Sequence, residues 1–183
     1  MKEVKICVIG AGKWGFNHIK TLFSLDISVG CVDIKLKQLE KIKSQFHQIN
    51  CFSSIEESLK ENFDGYIIAT PALTHAELAK LIISNHKPVL VEKPLCLSVS
   101  ESKEIKSLII KHSGKLIVGH LLLFHPAIQK IKYMIDEGMI GEIQYIYSNR
   151  LNFGTVRKEE NVFWSLAPHD ISLFQFYTNS FPS

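Results

Sequence analysis

The chain has 183 residues, of which 46% are hydrophobic and 21% charged, and its formal net charge of +3 is spread along the sequence. This composition is typical of a globular protein, and the absence of a basic arm or stripe argues against nucleic-acid binding. The apolar runs are shorter than the roughly 18 residues of a membrane span, and a strand directly follows Met1-Lys2-Glu3, which argues against a signal peptide. We therefore expect a cytoplasmic protein without a membrane or nucleic-acid partner.

Short β-rich apolar runs alternate with longer helical stretches through the first two thirds of the chain, a pattern typical of a parallel α/β sheet. The predicted strands span residues 4–9, 27–32, 49–52, 66–69, 88–91 and 116–118. The first two predicted helices span residues 13–24 and 35–47. Capping boxes predict three more helices, beginning at Ser54 with Glu57, Thr74 with Glu77 and Ser98 with Glu101.

The pattern changes beyond the sixth strand. A helix is predicted over residues 125–137, a turn between Gly138 and Gly141, and a long strand over residues 142–153 with one wet face. The domain boundary is placed near Gly119, which gives domains of residues 1–119 and 120–183. The predicted fold class is α/β, a doubly wound parallel sheet followed by an incomplete α+β second domain.

A glycine-rich turn, Gly10-Ala11-Gly12-Lys13-Trp14-Gly15, directly follows the first predicted strand and opens the first helix. This is the context in which GxGxxG predicts a dinucleotide-binding Rossmann domain. Gly10 permits the tight turn, Gly12 lets a pyrophosphate approach the backbone, and Gly15 lets the helix pack closely on the sheet. The free N–H groups of the helix N-terminus, where Lys13 and Trp14 lie, favour the phosphates.

Asp33 ends the second strand, 21 residues after Gly12. A carboxylate there accepts hydrogen bonds from both ribose hydroxyls and repels a 2′-phosphate, so NAD is predicted as the cofactor. Lys35, a basic residue, lies two positions after Asp33, so NADP is the alternative cofactor. A glycine turn without a ligand, or an adenosyl cofactor as in methyltransferases, is the other interpretation.

The four cysteines, Cys7, Cys31, Cys51 and Cys96, are scattered and form no CxxC pair. Cys7 and Cys31 fall inside predicted buried strands, so we expect reduced core thiols. The histidines are not paired with carboxylates or thiols at ligand spacing, so no metal site is predicted.

Two further motifs lie at the carboxyl ends of predicted strands: Ala69-Thr70-Pro71 with His75, and Glu92-Lys93-Pro94. Together with the glycine turn they resemble the Gfo/Idh/MocA family of NAD(P)-dependent sugar oxidoreductases. The resemblance continues through Gly119-His120, Phe124-His125-Pro126 and Ala167-Pro168-His169-Asp170, and so covers essentially the whole chain.

The resemblance implies a role for each motif. Lys93 is the central catalytic residue, contacting the reacting hydroxyl beside the nicotinamide, and His169 is its acid–base partner. Glu92 orients the nicotinamide, and Pro94 follows a cis bond. Thr70, Pro71 and His75 belong to the cofactor edge, although a capping role for His75 is an equal alternative. A solvated Lys93 and a packed His169 are the non-catalytic interpretations.

On the substrate side the resemblance is greatest to a subgroup that oxidises nucleotide-activated amino sugars or their uronates at C3, for cell-surface polysaccharide synthesis. His120, Arg150, Arg157 and Asp170 are the candidates for substrate binding, with Arg150 and Arg157 suited to a carboxylate or phosphate. Surface arginines and structural histidines, including His120 and His125, are the alternatives.

This sequence departs from the family in two places and in its length. Ser165 stands where many members have an aspartate four residues before the histidine, and Leu123 stands where an arginine is common. Family members continue past residue 183, so we expect a C-terminally truncated chain that self-associates or forms homo-oligomers and turns over substrate poorly or not at all. A non-catalytic NAD-binding module is the alternative to an enzyme.

Overall fold

The computed structural model describes residues 4–151 and 161–181. The chain divides into two compact units, Met1–Val118 and Gly119–Ser183. Among the described residues, no helix is both long enough and apolar enough to cross a membrane.

The first unit contains a six-stranded parallel sheet with the strand order β3-β2-β1-β4-β5-β6. Its strands are β1 (Lys5–Ile9), β2 (Ser28–Val32), β3 (Asn50–Phe52), β4 (Gly65–Ile68), β5 (Val89–Val91) and β6 (Leu116–Val118). In the register at the centre of the sheet, Val8 lies opposite Cys31 on one side and Ile67 on the other. The strand order reverses between β1 and β4, which confirms the predicted doubly wound fold and makes their carboxyl ends the expected ligand-binding edge.

Five helices connect these strands, close to the predicted positions: α1 (Lys13–Ser24), α2 (Leu36–Gln45), α3 (Ile55–Leu59), α4 (His75–Ser84) and α5 (Val99–His112). The predicted capping box of α5 is confirmed, because Ser98 and Glu101 exchange side-chain and backbone hydrogen bonds. At α3, Ser54 caps the Glu57 N–H as predicted, but the Glu57 carboxylate accepts from the Ser53 N–H rather than from Ser54.

The predicted capping box at Thr74 is wrong. A 3₁₀ turn, Ala72–Thr74, precedes α4, and the Thr74 hydroxyl lies 2.7 Å from the Thr70 hydroxyl and 2.8 Å from the Pro71 carbonyl oxygen, within hydrogen-bond distance of both. Because Thr74 already has helical backbone angles, its side chain is directed back into the turn instead of over the first N–H groups of the helix.

Buried side chains form two apolar clusters. Cys7, Ile9 and Tyr66 belong to one, and Val8 and Cys31 belong to the other. Successive β1 residues therefore enter different clusters, which explains the continuous apolar run of that strand.

All four cysteines are free thiols, and Cys7 and Cys31 are fully buried, as predicted. Burial raises the pKa of the Cys7 thiol to about 12, so this thiol is unreactive at neutral pH.

The second unit contains a 3₁₀ turn (Leu121–Phe124), α6 (Pro126–Asp136) and α7 (Val162–Thr178). Helix α6 begins at a Pro and is capped by His125, whose Nδ1 accepts from the Ala127 N–H. Gly138 and Gly141, at φ of +66° and +72°, form the predicted turn after α6. Positive φ at both positions explains why glycine is found there.

The strand predicted over residues 142–153 is wrong for residues 142–151, which have no regular secondary structure; residues 152 and 153 lie outside the described part. A strand exists through hydrogen bonds to a neighbouring strand, and none of the described residues of this unit provides that neighbour. Tyr145 and Tyr147 instead stack on each other, with 6.4 Å between ring centroids, and both are largely exposed.

Candidate cofactor site and catalytic segment

Glycine is required at the start of the turn between β1 and α1 and again in the first turn of α1. Gly10 has a φ of +97°, its N–H donates to the Val32 carbonyl, and a Cβ there would lie 2.8 Å from the Ala69 carbonyl oxygen. A Cβ on Gly15 would lie 1.7 Å from the Gly10 carbonyl oxygen. The turn and the first helix therefore pack backbone against backbone, which is the geometry that the motif predicted.

Gly12 differs from the other two glycines because a Cβ there would have no atom within 4 Å. It is the N-cap of α1 and has no side chain to occupy the first N–H groups of that helix. These donors and the positive end of the helix dipole suit a pyrophosphate.

A cleft of about 680 Å³ opens at this turn, where the carboxyl ends of β1, β2 and β4 meet. It brings together most of the predicted cofactor residues: Gly10, Gly12, Lys13, Trp14, Asp33, Thr70 and Pro71. Gly15 is buried rather than exposed to the cleft. The sequence did not indicate the rest of the lining, which includes Gln38, Ser53 and Glu56. The one sequence feature that could have identified these three residues is their position shortly after the second and third strands, at the same edge of the sheet as the cleft.

The Asp33 carboxylate is held in a fixed orientation at the end of β2. Its Oδ2 accepts from the Ala11 N–H at 2.7 Å, and its Oδ1 accepts from the Lys35 N–H at 2.8 Å. A carboxylate has about four acceptor sites, so both oxygens can still accept from ribose hydroxyls. Lys35 thus supports Asp33 through its backbone, a role that its charge did not suggest.

The segment after β5 begins with the buried residue Glu92, whose N–H donates to the Ile68 carbonyl of β4 at 2.9 Å. Its Oε1 lies 2.7 Å from Nε2 of His18 on α1. None of the sequence motifs indicated His18, although its position three residues after Gly15 places it near the buried face of α1. Lys93 follows, half-buried, and its peptide bond to Pro94 is cis, as predicted.

His75 is 1% exposed and links two loops at this edge of the sheet. Its Nδ1 lies 2.7 Å from the Pro94 carbonyl oxygen, and its Nε2 lies 2.9 Å from the Thr70 carbonyl oxygen. Both ring nitrogens therefore contact backbone oxygens. In this geometry His75 holds the loop after β4 against the loop after β5.

Two of the predicted substrate residues, Arg150 and Asp170, contact each other within the second unit. The guanidinium donates from Nε and Nη2 to the two carboxylate oxygens, both at 2.9 Å, and Ser148 adds a third bond to Asp170. The bidentate hydrogen bond from Arg150 lowers the pKa of Asp170, which is therefore a carboxylate at neutral pH. Any substrate anion at Arg150 has to share the guanidinium with this partner.

The remaining candidates are distributed over the second unit. His169 and Ser165 are half-buried on α7, and His120 is half-buried at the start of the 3₁₀ turn. Arg157 lies outside the described residues. Over residues 4–151 and 161–181, no group of three or more His, Cys, Asp or Glu side chains could hold a metal ion.

Two curated relatives resemble this chain. The scyllo-inositol 2-dehydrogenase (NAD(+)) of Bacillus subtilis (strain 168) is 32% identical over 148 residues, covering 78% of this chain and 43% of that protein. The UDP-N-acetylglucosamine 3-dehydrogenase of Acidithiobacillus ferrooxidans is 26% identical over 183 residues, covering 100% of this chain and 56% of that protein. The chain spans about half the length of these relatives.

The fold has close counterparts among solved structures. The scyllo-inositol dehydrogenase of Lactobacillus casei, solved with NAD(H) and scyllo-inositol, superposes with a TM-score of 0.83 at 18% identity, covering 97% of this chain and 57% of that one. Residues 4–120, well over half of the chain, match the Gfo/Idh/MocA profile, described as an oxidoreductase family with an NAD-binding Rossmann fold. The chain therefore belongs to the Gfo/Idh/MocA oxidoreductase family and has its NAD-binding Rossmann fold.

Proposed function

We propose that this protein acts as an NAD-dependent dehydrogenase of a sugar or cyclic polyol. The observation that carries the proposal is the cleft at the carboxyl edge of the sheet. There, the unobstructed backbone at Gly12 suits the pyrophosphate of NAD, and the Asp33 carboxylate, held by backbone N–H groups, suits its adenosine ribose. The Glu92-Lys93-Pro94 segment follows the neighbouring strand β5 and supplies an ionisable amine at the same edge. The relatives named above, dehydrogenases of an inositol and of UDP-N-acetylglucosamine, support this reaction class.

The proposed reaction converts a CH–OH group into a carbonyl. When bound, NAD⁺ accepts the hydride from that carbon. Lys93 contacts the reacting hydroxyl, and His169 is the acid–base partner that takes the hydroxyl proton as the hydride is transferred. The backbone N–H groups at Gly12 and Lys13 hold the pyrophosphate, and Asp33 accepts from the adenosine ribose.

The narrower proposal for the substrate is a nucleotide-activated amino sugar or its uronate, oxidised at C3, with a role in polysaccharide synthesis. This proposal is supported by the match of the UDP-N-acetylglucosamine 3-dehydrogenase to all 183 residues of this chain. In this proposal His120, Arg150, Arg157 and Asp170 contact the substrate, and the pairing of Arg150 with Asp170 orients the guanidinium. Free cyclic polyols are the competing substrates, because the inositol relative has the higher identity.

A substrate panel tests this function directly. Purified chain is incubated with NAD⁺ and, separately, with UDP-N-acetylglucosamine, its uronate, scyllo-inositol and myo-inositol, and NADH absorbance is followed. We expect any NADH formation to be faster with a nucleotide sugar than with the inositols. Formation with an inositol alone would overturn the narrower substrate. NADH binding without turnover of any panel member would favour a non-catalytic NAD-binding module, the interpretation that Ser165 supports.

Preference for NADH over NADPH is a second expected result. The wild-type chain should bind NADH at least about tenfold more tightly, because a fixed carboxylate at Asp33 repels a 2′-phosphate. Asp33→Asn keeps an oxygen for the Ala11 N–H but removes the charge, so it should narrow that difference. Trp14 lies in the cleft and reports both titrations by fluorescence.

Glu56→Gln is the matched control, because it removes another carboxylate from the cleft lining with the same change in net charge. It should leave the preference closer to wild type than Asp33→Asn does. Equal affinity of the wild-type chain for NADPH would contradict the assignment of Asp33.

A cytoplasmic location and self-association complete the proposal. The four free thiols suit a reducing compartment. The second unit exposes large apolar side chains, among them Phe124 and Leu151, and exposed apolar surface favours association.

A further inference from the structure

The contact between His18 and Glu92 joins helix α1 to the segment that carries Lys93. His18 Nε2 and Glu92 Oε1 are 2.7 Å apart, and the two side chains are 24% and 10% exposed. An ionised carboxylate only accepts hydrogen bonds, so the imidazole donates through Nε2. The two residues are 74 positions apart in the chain.

A carboxylate as buried as that of Glu92 is costly unless a donor satisfies it. The backbone of Glu92 is already fixed, because its N–H donates to the Ile68 carbonyl of β4. The imidazole of His18 then fixes the direction of the side chain from the other side. Glu92 is thus held by β4 through its backbone and by α1 through its carboxylate.

The position of His18 depends on the glycine turn. Gly15 and Ile19 are buried on the face of α1 that packs on the sheet, and His18 lies beside Ile19 and one helical turn after Gly15. Because Gly15 has no Cβ, α1 lies close against the Gly10 carbonyl. This close packing lets a side chain from the second turn of α1 reach the residue after β5.

We propose that His18 is a positioning residue, which orients the Glu92 carboxylate toward the nicotinamide. The proposal rests on the proposed function and on the role that the family resemblance implies for Glu92, which is to orient the nicotinamide. The His18 bond uses one of about four acceptor sites of the carboxylate, and the others can accept the carboxamide N–H of the nicotinamide. Helix α1 then acts on both ends of the cofactor: its N-terminus on the pyrophosphate and His18, through Glu92, on the nicotinamide.

The test compares two ligands that differ in the nicotinamide. NADH and ADP-ribose share the adenosine, the pyrophosphate and the second ribose, but ADP-ribose lacks the nicotinamide. His18→Ala should weaken NADH binding about tenfold, the size expected when one hydrogen bond to a charged group is lost, and should leave ADP-ribose binding unchanged. Isothermal titration calorimetry measures both affinities on the full chain.

Three further variants sharpen the comparison. His18→Gln keeps an N–H donor and should recover much of the NADH affinity. Asn17→Ala, at an exposed neighbour on α1, should change neither affinity. In a double-mutant cycle, His18→Ala should add little to the loss caused by Glu92→Ala, because Glu92→Ala removes the carboxylate through which His18 acts.

The outcomes separate this proposal from the function on which it rests. An equal loss of affinity for NADH and ADP-ribose would reduce His18 to general support of the fold and overturn the proposal. Unchanged NADH affinity in His18→Ala, or additive losses in the cycle, would also overturn it. Failure of the wild-type chain to bind either ligand would instead overturn the proposed function itself.

Discussion

Gly15→Ala is expected to destabilise the first unit by at least about 3 kcal/mol, at the upper end of what overpacking usually costs. The added Cβ would lie 1.7 Å from the Gly10 carbonyl oxygen, a distance that no side-chain rotation relieves. The turn cannot move away easily, because the Gly10 N–H is bonded to the Val32 carbonyl of β2, and a Cβ at Gly10 would already lie 2.8 Å from the Ala69 carbonyl oxygen. Urea unfolding followed by circular dichroism measures the loss, and NADH binding should disappear with it.

Gly12→Ala is the matched variant, because it adds the same methyl group three residues before Gly15, in the same glycine-rich motif. Nothing lies within 4 Å of that Cβ, and Gly12 has a φ of −70° that alanine also adopts, so the loss of stability should not exceed about 1 kcal/mol, the preference of a helix N-cap for glycine over alanine. The methyl group would nevertheless occupy the approach of the pyrophosphate, so NADH affinity should fall at least about tenfold.

Together the two glycine variants separate the two functions of the turn. A Gly15→Ala protein as stable as the wild type would contradict the close packing of α1 on the turn. Normal NADH binding by a stable Gly12→Ala protein would contradict the placement of the pyrophosphate at the N-terminus of α1.

Lys93→Met should lower the turnover of the accepted substrate about 10²- to 10⁴-fold, the range typical for loss of a general acid or base. Methionine is unbranched and of similar length, so the half-buried stem of the side chain is largely replaced while the amine is removed. NADH affinity should therefore change little. Initial rates of NADH formation at saturating NAD⁺ and a separate NADH titration measure the two effects.

Lys115→Met provides the control, because Lys115 is an exposed lysine just before β6, away from the carboxyl edge of the sheet. Its turnover should equal that of the wild type. Wild-type turnover in Lys93→Met would remove Lys93 from the mechanism. Equal losses in both variants would mean that the assay reports net charge or general stability instead of catalysis.

The elements that the sequence predicted well are those whose signals are local. Helix α1 and strand β6 begin and end at the predicted residues, and the cleft gathers most of the predicted cofactor residues. Buried parallel strands are recognised from continuous apolar runs, and the glycine turn from its fixed spacing between a strand and a helix. In these elements the residues that interact are neighbours in the sequence, or the fold brings the ends of successive strands to one edge.

The wrong predictions arose where a local sequence pattern did not determine which hydrogen bonds form. Alternation of Ile143, Tyr145 and Tyr147 with polar residues predicted a strand, but a strand also requires a neighbour that the alternation does not supply. At Thr74, the spacing to Glu77 suggested a capping box, but the preceding 3₁₀ turn directed the hydroxyl to Thr70 and Pro71.

The sequence alone determined the doubly wound sheet, the glycine turn, the acidic residue after β2 and the family resemblance, because each depends on residue type at short, fixed spacing. Only the tertiary structure revealed the contact of His18 with Glu92, the link formed by His75 between two loops, and the pairing of Arg150 with Asp170. These partners are separated by 74, 19 and 20 residues. Their distances depend on how helices and loops pack after the chain folds, and no local pattern encodes that packing.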